Sequence, residues 1–74
     1  MPWKFDSKRL LSIREALALS ESEISIKLKV SKQLYQKWES GERVPGTSSI
    51  LKMVHTFDLK PAAFFVEHDG VKHD

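Results

Sequence analysis

The sequence predicts an all-α domain of five short helices, and three observations support this prediction. The chain has 74 residues and no cysteine, so one small core must hold the fold without disulfides or a thiolate zinc site. Apolar residues recur at helical spacing along most of the chain. Helix caps, glycine and proline divide the periodic runs into short segments, and no strand pattern of any length competes with them.

The first helix is predicted to begin after Asp6 or Ser7, either of which can act as its N-cap. Three apolar side chains then recur at helical spacing and form its inner stripe: Leu10, Ile13 and Leu17. The helix is expected to end near residues 18–19. Ser20 and Glu23 have the spacing of a capping box, in which each side chain satisfies the free backbone amide of the other residue. They predict the start of a second helix.

The second helix can only be short, because an N-cap signal at Ser31 starts the next one. The third helix is predicted over Lys32–Ser40, and Gly41 is its expected C-terminal stop. Tyr35 and Trp38 are three residues apart and should face the interior.

The last third of the chain predicts a loop, two helices and a tail. The loop covers residues 41–46, and a fourth helix follows from about residue 47 to residue 57. Its buried edge is expected to contain Ile50, Leu51, Val54 and Phe57. Proline at the first helical position predicts a short fifth helix over residues 61–66. We therefore expect one domain over residues 1–66 and a polar tail over residues 67–74.

Composition limits the classes of function. The net charge of +2 is weak support for a polyanionic partner, and the mixed charges fit an ordinary solubilising surface. We find no signal peptide and no membrane-spanning run, which together with the absence of cysteine predicts a cytoplasmic protein. No nucleophile–base–acid set and no glycine-rich phosphate loop can be assembled, so we expect neither an enzyme nor a cofactor or metal site.

The short break between the second and third helices carries the functional prediction. Three residues, 29–31, are too few for an antiparallel hairpin, so the helices must cross steeply as in a helix-turn-helix. The third helix then projects polar side chains away from the core: Ser31, Lys32, Gln33, Gln36, Lys37 and Ser40. Glutamine can pair with adenine and lysine with guanine in a major groove, although any solvent-exposed helix face has a similar composition. Both interpretations stay open at this point.

The run from Val30 to Pro45 closely resembles the Cro/C1-type (XRE) helix-turn-helix family, whose fold is lambda-repressor-like. The similarity lies in the valine–serine pair, the variable face, the Trp38-Glu39 pair and the glycine and proline that follow, and it extends over residues 6–66. The ends, Phe5-Asp6 and Phe64-Phe65, look like the subgroup that accompanies ImmA/IrrE-type metallopeptidases. This chain contains no such catalytic segment.

The resemblance implies roles for individual residues. The family's base-reading positions are occupied by Lys32, Gln33, Gln36 and Lys37. Phosphate contacts are expected from Ser20, Glu21, Ser31, Ser40 and Arg43. Arg14 and Glu39 match a partly buried ion pair that ties the first helix to the end of the recognition helix. The chain departs from the family at Glu21, where glutamine is usual, at Lys29, where glycine is usual, and at Tyr35, where a β-branched aliphatic residue is usual.

The resemblance implies a homodimeric regulator, repressor-like, that binds a double-stranded DNA operator through its third helix. Aromatic residues at the chain ends and on the fourth helix either complete the core or form a dimer face; the candidates for the face are Met53, Phe57, Phe64 and Phe65. The alternative function is a protein-interaction or antitoxin-like module on the same fold, partnered with a toxin or a metallopeptidase. Salt dependence distinguishes the two, because DNA binding weakens steeply with salt whereas an apolar protein interface does not.

Overall fold

A computed structural model of the chain describes residues 3–67, in which four α-helices are followed by a short 3-10 helix, and two short strands close the ends. The elements are β1 Trp3–Phe5, α1 Ser7–Ala16, α2 Glu21–Leu28, α3 Lys32–Ser40, α4 Thr47–Phe57, the 3-10 helix Pro61–Phe64 and β2 Phe65–Glu67. The fold is therefore mostly helical, as predicted. Within residues 3–67, no helix is long and apolar enough to cross a membrane.

Local capping explains where α1, α2 and α3 begin. The side chain of Asp6 accepts a hydrogen bond from the backbone amide of Lys8 at 3.0 Å, so Asp6 and not Ser7 caps α1. Ser20 forms the complete capping box with Glu23, which confirms the predicted start of α2. Ser31 caps α3 in the predicted way.

The core lies where α1, α2, α3 and α4 meet the chain ends. Its buried apolar side chains are Phe5, Leu10, Ile24, Leu28, Tyr35, Trp38, Ile50, Met53 and Phe64. The predicted inward orientation of Tyr35 and Trp38 is confirmed, and their rings meet edge to face with centroids 6.2 Å apart. Met53 and Phe64 are both 0% exposed, so neither can belong to a dimer face. The thioether of Met53 and the ring of Phe64 are therefore part of the core.

The predicted fifth helix over residues 61–66 is wrong beyond residue 64. Pro61 starts a 3-10 helix that ends at Phe64, and the chain then extends into β2. Antiparallel pairing with β1 places Phe5 opposite Phe65, where the two rings meet edge to face with centroids 6.1 Å apart. Pairing of aromatic and β-branched residues across the strands outweighs the weak propensity of this segment for helix.

Two further boundaries differ from prediction. The first helix ends at Ala16 because Ala18 adopts a left-handed conformation with φ 58° and turns the chain toward α2. Glu67, the first residue of the predicted polar tail, closes β2. The remainder of that tail, residues 68–74, lies outside the described residues.

Candidate nucleic-acid interface

The turn between α2 and α3 contains a left-handed residue at the position where the resemblance led us to expect glycine. Lys29 has φ 59° and ψ 42°, and the amide of Val30 donates to the carbonyl of Ser25 at 3.0 Å. This hydrogen bond closes the C-terminus of α2 and reverses the chain within three residues. A left-handed conformation costs a non-glycine residue roughly 1–2 kcal/mol, so the surrounding packing must offset that strain at Lys29.

A partly buried polar cluster joins α3 to α1. The expected ion pair is present: the guanidinium of Arg14 donates from Nε and from Nη2 to the two carboxylate oxygens of Glu39. Arg14 also donates to the carbonyl of Leu19 at 2.9 Å, and the hydroxyl of Tyr35 donates to Glu39. The hydrogen bond with Glu39 raises the pKa of Arg14, and burial together with Glu39 raises the pKa of Tyr35. Both groups therefore keep their protons at neutral pH.

A hydrogen bond also joins α2 to α4. The ammonium of Lys52 on α4 donates to the carbonyl of Leu28 at 3.1 Å, at the end of α2. This carbonyl has no partner within its own helix, and a positive charge is favourable at a helix C-terminus. Sequence analysis missed this role of Lys52, because only the packing of α4 across α2 brings the two residues together.

The outer face of α3 is open and polar. The four predicted base-reading side chains are all exposed: Lys32, Gln33, Gln36 and Lys37. A shallow groove of about 360 Å³ runs along this face and is bordered by Gln33, Gln36, Lys37, Ser40 and Glu42. Because the helix itself is held by buried contacts, these side chains can present hydrogen-bonding groups from a fixed backbone.

The structure gives the predicted phosphate-contact serines local hydrogen bonds at helix ends. Ser20 and Ser31 accept from backbone amides as N-caps and remain exposed at the starts of α2 and α3. Ser40 donates to the carbonyl of Lys37 and accepts from the amide of Glu42, so its hydroxyl is occupied in closing α3.

Arg43 lies in the loop after α3. Its backbone amide donates to the carbonyl of Lys37 at 3.1 Å, and its side chain is exposed. A cleft of about 220 Å³ beside it is bordered by Lys4, Phe5, Asp6, Ser7, Gly41, Arg43 and Val44. The loop therefore places a cation next to the end of the recognition helix.

Glu21, the remaining predicted phosphate contact, is engaged with the recognition helix. The amide nitrogen of Gln36 donates to its carboxylate at 3.0 Å. This hydrogen bond lowers the pKa of Glu21, and the nearby positive charges of Arg14 and Lys32 act in the same direction. Glu21 is therefore ionised at neutral pH. Sequence analysis missed this contact, because Glu21 and Gln36 are on different helices, 15 residues apart, and no motif in the sequence predicts that they meet.

A separate apolar surface lies on the side of α4. A groove of about 380 Å³ is bordered by Pro45, Thr47, Ile50, Leu51, Pro61 and Phe65. Leu51, which borders this groove, is 50% exposed. Val44 in the preceding loop is 68% exposed and borders the cleft beside Arg43. Of the predicted dimer-face residues, Phe57 and Phe65 are half-buried and can still contribute to a contact. Sequence analysis did not identify Val44 as an exposed apolar residue, and it placed Leu51 on the buried edge of its helix.

Within residues 3–67, no three histidine, cysteine, aspartate or glutamate side chains form a group that could hold a metal ion.

Comparison with known proteins identifies the fold family. The family model described as helix-turn-helix matches residues 10–64, which is well over half of the chain and includes α2, the turn and α3. No curated protein and no solved structure matches the chain. The matched family is a DNA-binding family and is generally non-enzymatic. The chain therefore belongs to the Cro/C1-type helix-turn-helix family.

Proposed function

We propose that this protein is a sequence-specific DNA-binding transcriptional regulator, repressor-like, that inserts α3 into the major groove of an operator. The observation that carries the proposal is the contrast between the two faces of α3. Its inner face is anchored by Tyr35, Trp38 and the Arg14–Glu39 ion pair, whereas its outer face presents only exposed polar groups. A helix that is held by its buried face and exposes a polar face suits direct readout of bases.

The four proposed base-reading residues offer hydrogen-bonding groups for two different bases. Gln33 and Gln36 offer the donor–acceptor pair that matches adenine, and Lys32 and Lys37 offer donors to the acceptors of guanine. Backbone amides at the helix starts, with Ser20, Ser31 and Arg43, would fix the register on phosphates. Ser20 and Ser31 only accept within the protein, so their hydroxyl protons remain available to a phosphate. Ser40 does not enter this set because its hydroxyl both donates to Lys37 and accepts from Glu42, and Glu21 does not because its carboxylate is repelled by phosphate.

The test is selection of bound duplexes from a randomised DNA pool, followed by anisotropy titrations of the selected duplex at two salt concentrations. We expect an enriched inverted repeat, affinity that falls steeply between the two salts, and weaker binding by Lys32→Ala and Gln33→Ala. Absence of any enriched sequence, with weak binding that is equal for all duplexes, would refute the proposal.

A homodimer would allow the protein to bind such a repeat. Two recognition helices must lie about 34 Å apart to enter successive major grooves on one side of B-DNA. The apolar groove bordered by Leu51 and Phe65 supports a self-complementary contact, because exposed apolar surface on a monomer can mark a protein–protein interface. Sedimentation of the wild type and of Leu51→Glu tests it: the charge should turn a dimer into a monomer.

The same apolar surface motivates a second candidate, a protein-interaction or antitoxin-like module in a bacterium or phage. Its partner would be a toxin or a metallopeptidase of the ImmA/IrrE type, and the complex would act in the cytoplasm. Binding of a partner to this surface should change little with added salt and should be lost in Leu51→Glu. DNA binding by α3 should weaken steeply with added salt.

A further inference from the structure

The hydrogen bond between Glu21 and Gln36 defines the orientation of one reading side chain. An ionised carboxylate can only accept hydrogen bonds, so the amide nitrogen of Gln36 must face it. The lowered pKa of Glu21 is consistent with a carboxylate that stays ionised in this contact. Within residues 3–67 the amide oxygen of Gln36 has no hydrogen-bond partner, and the side chain as a whole is exposed.

A glutamine held in this way offers a defined pattern to a base. One N–H of its amide is used by Glu21, which leaves the second N–H and the oxygen. When Glu21 takes the N–H that points away from the amide oxygen, those two groups form the edge that matches adenine in the major groove, where N6 donates and N7 accepts. A free glutamine can turn its amide over and present the reverse arrangement, whereas Gln36 would lose its hydrogen bond to Glu21 by doing so.

We propose that Glu21 is a specificity-determining residue, which holds the Gln36 amide in the orientation that selects adenine and lowers affinity for all DNA through its charge. This inference rests on the proposed function. The second effect follows because a carboxylate at the start of α2, close to the recognition helix, repels the phosphates that a helix N-terminus otherwise attracts. Glu21 thus lowers affinity for DNA and raises selectivity for adenine. It contacts Gln36 but not the base itself.

The competing explanation is that the pair only joins α2 to α3. In that case its loss would lower thermal stability and weaken binding to every duplex equally. A change in preference at a single base pair is the readout that such a structural role would not produce.

The experiment uses the full chain and the operator selected by the wild type. The base pair read by Gln36 is first located as the one whose preference disappears in Gln36→Ala. Affinities for the operator and for its variants at that pair are then measured for Glu21→Ala, Glu21→Gln and Glu42→Ala, together with melting temperatures. Glu42 is the matched control, because it borders the same groove and carries the same charge but has no hydrogen bond to Gln36.

We expect the wild type to prefer adenine at this pair by about 5- to 150-fold, the range of a good paired contact. Glu21→Ala should reduce that preference at least threefold while it raises affinity for all duplexes, and Glu21→Gln should lie between the two. Glu42→Ala should raise affinity and leave the preference unchanged. In the Gln36→Ala background, Glu21→Ala should no longer alter any base preference.

Three results would overturn the inference. Glu21→Ala could raise affinity as Glu42→Ala does and keep the full adenine preference, or it could melt lower with the preference intact. Gln36→Ala could also leave every base preference in place, in which case Gln36 reads nothing. If the wild type selects no duplex at all, the proposed function fails and this inference fails with it.

Discussion

Replacing Glu39 with glutamine should lower the free energy of unfolding by about 3 kcal/mol, the lower end of the cost of breaking a buried ion pair from one side. The side chains of Arg14 and Glu39 are 16% and 8% exposed, so little water is available to replace the lost partner. Glutamine keeps the size of the side chain but loses the charge, and its NH2 group replaces one of the two oxygens that accept from Arg14 and Tyr35. The lower end applies because Arg14 retains its hydrogen bond to the carbonyl of Leu19.

A loss of this size is large for a domain of 74 residues, whose total stability is expected to be about 4–11 kcal/mol. Thermal unfolding followed by circular dichroism should show the midpoint lowered by about 12–24 °C. Urea titration should give the same free-energy difference with an unchanged slope.

The double variant Arg14→Met with Glu39→Gln separates a true pair from two independent effects. Because the uncompensated charge is gone, the double variant should be more stable than the sum of the two single losses predicts, by more than about 1 kcal/mol. Strict additivity, or a loss below about 1 kcal/mol in Glu39→Gln alone, would refute the view that this pair anchors the recognition helix.

Three other substitutions test separate features of the structure. Lys29→Gly should raise the free energy of unfolding by about 1 kcal/mol, because glycine adopts the left-handed conformation of this residue without strain; a destabilised variant in urea titrations would contradict this. Tyr35→Phe should cost about 1 kcal/mol at neutral pH through loss of the hydrogen bond to Glu39. Burial raises the pKa of Tyr35 above its ordinary value, so this contribution is complete below about pH 10 and is lost as pH rises. The gap between wild type and Tyr35→Phe should therefore narrow in alkaline melts, and a constant gap would argue against an ionisable buried hydroxyl. Gln33→Ala should weaken operator binding by roughly 1–3 kcal/mol and relax preference at one base pair, with melting unchanged; equal binding to all sites as tight as that of the wild type would remove Gln33 from the reading face.

The features that the sequence predicted correctly depend on neighbours in the chain. Ser20 and Glu23 are three residues apart, and a helix N-terminus needs only that spacing to form a capping box. The left-handed conformation of Lys29 is implied by the resemblance, because the family usually has glycine at this position and glycine adopts that conformation without strain. Periodicity also placed Tyr35 and Trp38 inside, because their spacing identifies one face of a helix.

The features that the sequence could not predict depend on distant pairs. Strand β2 exists because Phe65 meets Phe5 at the opposite end of the described chain, and nothing local distinguishes that segment from a helical turn. Met53 was likewise a candidate for a dimer face, because apolar character alone does not say whether a side chain meets the core or another subunit, and the structure buries it completely. The contact of Glu21 with Gln36 requires the crossing angle of two helices, which caps and spacing alone do not determine.

The polar contacts of α3 form a graded series from the core to the reading face, and their burial determines what each can control. Glu39 is nearly buried and joins Arg14 and Tyr35, so changes there act on folding before they can act on DNA. Glu21 is only half-buried and lies beside the same cluster, since its charge acts on Arg14 and the charge of Arg14 acts on Glu21. Gln36, bound to Glu21, is exposed. The contacts that stabilise the fold are thus concentrated at Glu39, and under our proposal base preference lies at Gln36. We therefore expect substitution of Glu21, between the two, to alter preference while the fold remains intact.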